Sequence, residues 1–404
     1  MKIKNAKWIN LKKNILKFYL RIMINIIGFY QTKFGELWEK SLTSLIKEVV
    51  FGVLKEANLE INQIDAIFFG NMMAGVLENN LHTASKIAEI IGRNIPIFRV
   101  EAACASGGVS FHLATKYLND NCQKTVLVLG AEKMTDYSPE EVTSALAAAS
   151  SGEEQEAGLT FPGLYALMAN FYLQKYHYTE ENLAYVSYKN HYHGSFNEKA
   201  HFQNKLTIEK ILQSPYVAYP LKVLDSSPIS DGAAALIITN DKNLVKKSKA
   251  SVSVLASEVA TDTINLFQRK SLDEILSTKI AAELAFKKGG IERKQINVAE
   301  VHDCFSIAEI FAMEDLGFWK KGEGGGKIKE LSTLLNQSSL TVNPSGGLKA
   351  AGHPVGATGI KQIGEIFLQL TKKAEKRQVK NAKYGLAHNV GGSGGTAVVT
   401  ILAV

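Results

Sequence analysis

Cysteine is scarce, with 3 in 404 residues. So small and odd a number cannot build a disulfide framework, and a reducing compartment is the expected setting. No Cys-x-x-Cys pair occurs, which removes the usual signature of a structural zinc site. No apolar run reaches the roughly 20 residues that a spanning helix needs. Neither a P-loop Lys-Ser/Thr end nor a Gly-x-Gly-x-x-Gly fingerprint is present. Gly322-Glu323-Gly324-Gly325-Gly326-Lys327 imitates a phosphate loop, but no apolar strand leads into it, and it reads as a flexible surface turn.

Acid is missing from one place. Residues 1–22 carry six lysines and Arg21 without a single Asp or Glu, which accounts for the whole formal net charge of +7. The remaining chain is close to neutral, so a broad basic surface for nucleic acid is excluded. The segment lacks the apolar core and small-residue cleavage site of a secretory signal, and it favours Lys where mitochondrial presequences favour Arg and Ser. It is expected to be an extension outside the fold, with Met23 as the functional start, because Ile24-Asn25-Ile26-Ile27-Gly28 already reads as a first strand.

The rest is ordinary globular composition, 46% hydrophobic and 21% charged, and too long for a single core. Two copies of one pattern fill it. A helical stretch at Ser41–Ala57 leads to an apolar strand ending at Gly70, and Lys279–Lys288 leads to one ending at Val301-His302-Asp303. Val100–Gly108 precedes the helix Val109–Leu118 and the strand Thr125–Leu129. Asn343–Gly359 likewise precedes the helix Ile360–Thr371 and the strand Tyr384–Ala387. Each half closes on a small-residue turn and a strand. Continuous apolar strands alternating with amphipathic helices predict a buried, largely parallel sheet covered by helices. The expected division is an extension at 1–22, a first half at 23–250 and a second at 251–404. An inserted loop domain at about 133–224, rich in Glu, Tyr, His and Asn, breaks the first half and covers one end of the site.

Chemistry-bearing residues collect where glycine-rich turns meet apolar runs. Cys104 lies in Ala103-Cys104-Ala105-Ser106-Gly107-Gly108, opening a helix whose unpaired amides and dipole should favour thiolate. His353 sits in Gly346-Gly347-Leu348-Lys349-Ala350-Ala351-Gly352-His353-Pro354, a density of glycine that suggests close approach to a ligand. His302 and Cys304 emerge at the carboxyl end of an apolar strand, the end where parallel sheets bind ligands, and two residues apart they can share a face. His388 and Asn389 end an equivalent late strand, followed by Gly391, whose amide suits an oxyanion hole. Cys and His are also good zinc ligands, which makes a metal site the rival reading. The histidines of Tyr188–His193 are expected on a solvated helix face, and Cys122 is expected to be a packing residue.

In the joint order of these motifs, from about Met23 to Val404, the sequence resembles the thiolase superfamily. Within it, the likeness is to the sterol-carrier-protein-type thiolases and their archaeal and bacterial relatives. It carries His302-Asp303-Cys304-Phe305 where the Cys-x-Gly type of thiolase has Asn-Glu-Ala-Phe, and Asn389 where that type has its second cysteine. The resemblance implies an α/β fold of two pseudo-twofold-related βαβαβαββ halves in a layered α-β-α-β-α sandwich with an inserted loop domain. It implies that Cys104 carries the acyl group, that His353 activates it, and that Cys304 does the acid/base work. His302 and His353 would hold the enolate oxygen, and the Cys104 and Gly391 amides the acyl oxyanion. His388 would line the site and Ser227 would contact coenzyme A. No metal or prosthetic group is implied, only coenzyme A thioesters as substrates. The implied enzyme is a cytoplasmic homodimer or homotetramer condensing two acetyl-CoA, or cleaving a 3-ketoacyl-CoA. It would dock with hydroxymethylglutaryl-CoA synthase through a small zinc-ribbon/OB-fold protein at the entry to mevalonate synthesis. A ketoacyl synthase of the same fold and a non-catalytic lipid- or CoA-binding relative are the alternatives.

Overall fold

The structure, a computed structural model, describes residues 23–404; the basic segment 1–22, read above as an extension, lies outside the described residues. The strands in chain order are β1 (Asn25–Gln31), β2 (Ala66–Gly70), β3 (Ile97–Val100), β4 (Thr125–Glu132), β5 (Tyr216–Ala218), β6 (Leu221–Lys222), β7 (Gly232–Thr239), β8 (Val252–Thr261), β9 (Val298–Glu300), β10 (Thr341–Val342), β11 (Tyr384–Gly391) and β12 (Thr396–Ala403). All but β5 and β6 join one sheet, in the order β10-β9-β11-β12-β8-β1-β7-β4-β2-β3.

Each half contributes five neighbouring strands arranged alike. β2 pairs in parallel with β3 and β4, while β7 runs antiparallel to β4 and β1. The second half repeats this: β9 is parallel to β10 and β11, and β12 is antiparallel to β11 and β8. The halves meet edge to edge through Asn25 opposite Ser253 and Ile26 opposite Val252. The duplication is therefore topological. The expectation of a largely parallel sheet is corrected to a mixed one. Unbroken apolar runs report burial of both strand faces and carry no information about direction.

Seven longer helices matter here: α1 (Leu42–Ala57), α2 (Ser106–Asp120), α3 (Phe161–Tyr176), α4 (Glu180–Gly194), α5 (Leu276–Gly289), α6 (Ser306–Asp315) and α7 (Val355–Leu370). Ser41 caps α1 by accepting from the Ser44 amide, and Asn58 ends it in the left-handed region. Val49, Val50 and Val53 of α1 cover the outer face of the first half against Ile67, Leu127 and Ala235. Ala281, Ala282 and Ala285 of α5 cover the second against Val399 and Ile401. Between the halves, α2 and α7 share one core with both of them, through Phe111, Ala114, Ile360 and Ile363 against Val128, Leu236, Val298 and Leu402. The layers thus run α-β-α-β-α.

The two central helices touch at glycine. A Cβ on Gly107 would lie 2.7 Å from the Gly356 carbonyl oxygen, and one on Gly130 would lie 2.1 Å from the same atom. On Gly359 it would lie 2.3 Å from the Gly108 nitrogen. Gly107, Gly356 and Gly359 therefore serve backbone-to-backbone contact between α2, α7 and β4.

Three other expectations change. The Tyr188–His193 stretch of α4 is interior: Lys189, Asn190 and His193 are fully buried. Lys189 Nζ pairs with Glu309 at 2.6 Å and donates to the Val342 carbonyl, and His193 Nδ1 lies 3.0 Å from the Asn343 carbonyl. Polar residues survive burial here because each is paired, so polarity misreported exposure. The glycines at 322–326 form no flexible turn. The Gly322 and Gly324 amides donate to Glu314 at 3.0 and 2.8 Å, and a short helix Gly324–Lys329 follows. Cys122 is exposed. Among the described residues no helix is long and apolar enough to cross a membrane.

The glycine contact generates a stability prediction. Gly130→Ala should lower stability by about 1–3 kcal/mol, the usual cost of overpacking, read as a fall in the urea midpoint. Gly152→Ala, where nothing lies within 4 Å of the added carbon, should leave the midpoint unchanged. Equal midpoints for both variants would contradict the packing argument.

Candidate active site

Both central helices begin at the seam, and each is preceded by a reactive side chain. Cys104 stands one residue before Ala105, the N-cap of α2. The turn that delivers it is tight. Ala103 adopts φ 50, a left-handed conformation costing about 1–3 kcal/mol in a residue with a side chain. The Ser106 hydroxyl compensates by donating to the Ala103 carbonyl and accepting the Ala102 amide, at 2.6 and 2.9 Å. His353 precedes Pro354, the N-cap of α7. Its loop is anchored by the Ser230 hydroxyl, which accepts the His353 amide, and by Glu132, which accepts the Gly356 amide at 3.0 Å. Glu132 also accepts the Met72 and Met73 amides, and burial pushes its carboxyl up to about 7.

His302 and Cys304 follow β9 and lead into α6. Asp303 between them faces away and accepts the Leu348 and Lys349 amides at 2.6 and 3.2 Å. It thereby fastens this segment to the loop that carries His353. His388 and Asn389 lie inside β11, which runs on to Gly391.

The Cys104 sulfur and one ring nitrogen each of His302 and His353 all lie within 4.8 Å of one another. The two rings are 5.1 Å apart and nearly perpendicular, at 83°. His353 Nδ1 lies 2.7 Å from Thr358 Oγ1, and that hydroxyl donates to the Pro354 carbonyl at 2.9 Å. With its only proton committed, Thr358 can only accept, so His353 carries its proton on Nδ1 and Nε2 is bare. Among the described residues no partner meets Nε2 of His302 or of His353. The Gly392 amide donates to the Cys104 sulfur. Gly391, one residue earlier, sits against the Ala102 carbonyl, where an added Cβ would lie 2.4 Å away.

Cys304 is buried beside the Tyr165 hydroxyl, whose single proton goes to the Gly392 carbonyl at 3.1 Å. Tyr165 escaped the sequence reading because nothing in Phe161-Pro162-Gly163-Leu164-Tyr165 signals a contact spanning 227 positions. Ser227 joins the site through its backbone, donating to the Cys304 carbonyl at 2.9 Å. His388 is close enough to His302 to help hold that ring neutral. Its Nε2 lies 2.9 Å from Thr278 Oγ1 and its Nδ1 has no partner.

Desolvation dominates the electrostatics. It pushes the Cys104 thiol up to about 12 against the opposing Gly392 amide, and raises Cys304 well above the ordinary thiol range. It holds His353 and His388 down at about 3, and His302 well below the usual imidazole range. Burial thus opposes the thiolate that the start of α2 was expected to favour, and the resting groups are neutral. A thiol and two imidazoles at this spacing are also donors that zinc accepts.

Residues 24–242 match the family model for the thiolase N-terminal domain, and residues 258–404 match the thiolase C-terminal domain-like model. The chain belongs to the thiolase family. It is 46% identical over 390 residues to an acetyl-CoA acetyltransferase of Methanocaldococcus jannaschii, covering 94% of this chain and 98% of that protein. To the acetyl-CoA acetyltransferase of Methanothermobacter thermautotrophicus it is 45% identical, covering 94% and 99%. Human sterol carrier protein 2 is 31% identical, over 93% of this chain and 71% of that one. Among solved structures, human mitochondrial 3-ketoacyl-CoA thiolase has the same fold, with a TM-score of 0.71 at 16% identity over 94% of this chain and 98% of that one. The Ltp2-ChsH2(DUF35) aldolase reaches 0.81 at 19% identity, over 95% and 98%.

The thiolase's neutral resting site sets its reactivity. With the Cys104 thiol raised to about 12, its thiolate fraction should grow about tenfold per pH unit across the neutral and mildly alkaline range. Iodoacetamide labelling of Cys104, followed by peptide mass, should therefore climb steadily from pH 7 to 10. A plateau reached by pH 8 would contradict the shift.

Proposed function

We propose that this thiolase forms acetoacetyl-CoA from two acetyl-CoA through a thioester on Cys104, and catalyses the reverse cleavage by free coenzyme A. The observation that carries the reading is the sulfur with its two unpartnered imidazole nitrogens at the start of both central helices. The high identity to archaeal acetyl-CoA acetyltransferases supports the choice of acetyl units.

In the first half-reaction the bare Nε2 of His353 takes the Cys104 proton as the sulfur attacks the thioester carbon. The Gly392 and Cys104 amides, which both act on the sulfur, take the oxyanion role that the resemblance gave to the Gly391 and Cys104 amides. Coenzyme A leaves with the proton from His353. In the second, Cys304 gives its proton to the bare Nε2 of His353 and, as thiolate, removes an α-proton from a new acetyl-CoA. His302 and His353 steady the enolate oxygen. The enolate carbon attacks the acetyl group on Cys104, the carbon–sulfur bond breaks, the Cys104 thiolate recovers a proton from His353, and acetoacetyl-CoA departs. Atoms balance without metal or prosthetic group.

The division into halves 23–250 and 251–404, with 133–224 as a cover near the coenzyme A path and Ser227 beside it, belongs to this reading. So do His388 and Asn389 as lining residues, a cytoplasmic homo-oligomer, and docking to hydroxymethylglutaryl-CoA synthase through a zinc-ribbon/OB-fold partner in mevalonate synthesis.

Intact mass after acetyl-CoA should show one acetyl group, lost in Cys104→Ala. Cys304→Ala should still acetylate yet form no acetoacetyl-CoA, separating the two thiols by step. Requirement for a malonyl thioester would instead make the protein a ketoacyl synthase, and an unmodified Cys104 would contradict acyl transfer altogether. His302→Ala should lower kcat by about 10²–10³, the usual loss of one oxyanion donor.

A further inference from the structure

Asn389 holds three contacts. Its carbonyl oxygen accepts the Gly108 amide at 3.1 Å, and its Nδ2 lies 3.0 Å from the Cys104 carbonyl and 3.2 Å from His302 Nδ1. Two of these partners have no freedom. A backbone amide can only donate and a backbone carbonyl can only accept. Turning the Asn389 amide over would set oxygen against the Cys104 carbonyl and nitrogen against the Gly108 amide. The side chain is buried and lies against the backbone of Gly108, whose amide it accepts. Its Nδ2–H must therefore point at His302 Nδ1, and that nitrogen must accept.

In a neutral imidazole the proton is then on Nε2. Burial keeps His302 neutral, and that Nε2, on the side of the ring away from Asn389, meets no hydrogen-bond partner among the described residues. His353 carries the opposite tautomer, bare at Nε2, because Thr358 accepts from its Nδ1. Two rings 5.1 Å apart thus present one donor and one acceptor to the same space.

We propose that Asn389 is a tautomer-setting residue: it fixes the His302 proton on Nε2, offering a hydrogen bond to the thioester oxygen, and thereby keeps thiophilic divalent cations out of the Cys104–His302–His353 cluster. The three donor atoms have a spacing that zinc or cadmium accepts. A metal at His302 Nε2 would need that proton moved to Nδ1, into the Asn389 N–H. Only Cys104 and His353 remain as ligands, too few for tight binding. Metal-ligating histidines ordinarily donate their second N–H to a carboxylate or carbonyl, and such partners change affinity by about 10–100-fold; Asn389 does the reverse. The inference deepens the thiolase reading, since the donor role rests on it.

The test uses full-length protein in a Cys122→Ser background, to remove the exposed thiol. Nitrogen-15 spectra of histidine-labelled protein, assigned with His302→Gln, should place the His302 proton on Nε2; a proton on Nδ1 overturns the proposal. Cadmium titration followed by the thiolate-to-metal charge-transfer band should show at least tenfold tighter binding in Asn389→Asp than in the parent, with the band lost when Cys104→Ser is added. Equal cadmium affinity for Asn389→Asp and parent would also overturn it. In steady state Asn389→Leu, with the tautomer released, should lose kcat with little change in KM for acetyl-CoA, and a pure KM effect counts against the donor role. The spectra need no substrate. Failure to acetylate Cys104 would therefore defeat the catalytic reading while leaving the tautomer assignment standing, and the converse also holds.

Discussion

The close contact of α2 and α7 across the seam is the constraint on which the site depends. Both helices begin where the two halves meet, and they approach so closely that Gly107, Gly356 and Gly359 leave no space for a side chain. Because Cys104 and His353 each stand immediately before one of these helices, the contact fixes their separation. Glu132, which joins Met72, Met73 and Gly356, and Asp303, which joins the His302–Cys304 segment to Leu348 and Lys349, hold the loops on either side of that contact.

Neutrality is the second consequence. Packing the seam this tightly removes water, and removal of water is the largest influence on both thiols and all three imidazoles. A charge therefore has to be made at the moment of reaction, by transfer over a short distance between groups already placed. Directional hydrogen bonds become the controlling variable, since they alone decide which nitrogen gives and which receives. Thr358 and Asn389 set that choice in opposite senses on neighbouring rings. Such preorganised donors act strongest where water is excluded.

The sequence disclosed the duplicated architecture because burial and helical periodicity are local: the strands ending at Gly70 and Val301, and the helices opening after Cys104 and His353, each carry their own pattern. It also disclosed which side chains carry chemistry, through the rarity of Cys104 and Cys304 and the glycine around His353. What it concealed was long-range. Strand direction in β7 and β12 depends on pairing partners far away. Lys189, Asn190 and His193 looked solvent-bound because their buried partners, among them Glu309 and the Asn343 carbonyl, lie more than a hundred positions away. The desolvation that opposes a Cys104 thiolate was not legible, because a helix start is visible in sequence and the loss of water around it is not.

The account's central claim is that the resting site is a neutral cluster whose protons are placed by its neighbours. Neutron diffraction of the resting protein at neutral pH observes those protons directly. It should find hydrogen on the Cys104 sulfur, on Nδ1 of His353 and on Nε2 of His302. A bare sulfur beside a doubly protonated His353 would contradict it.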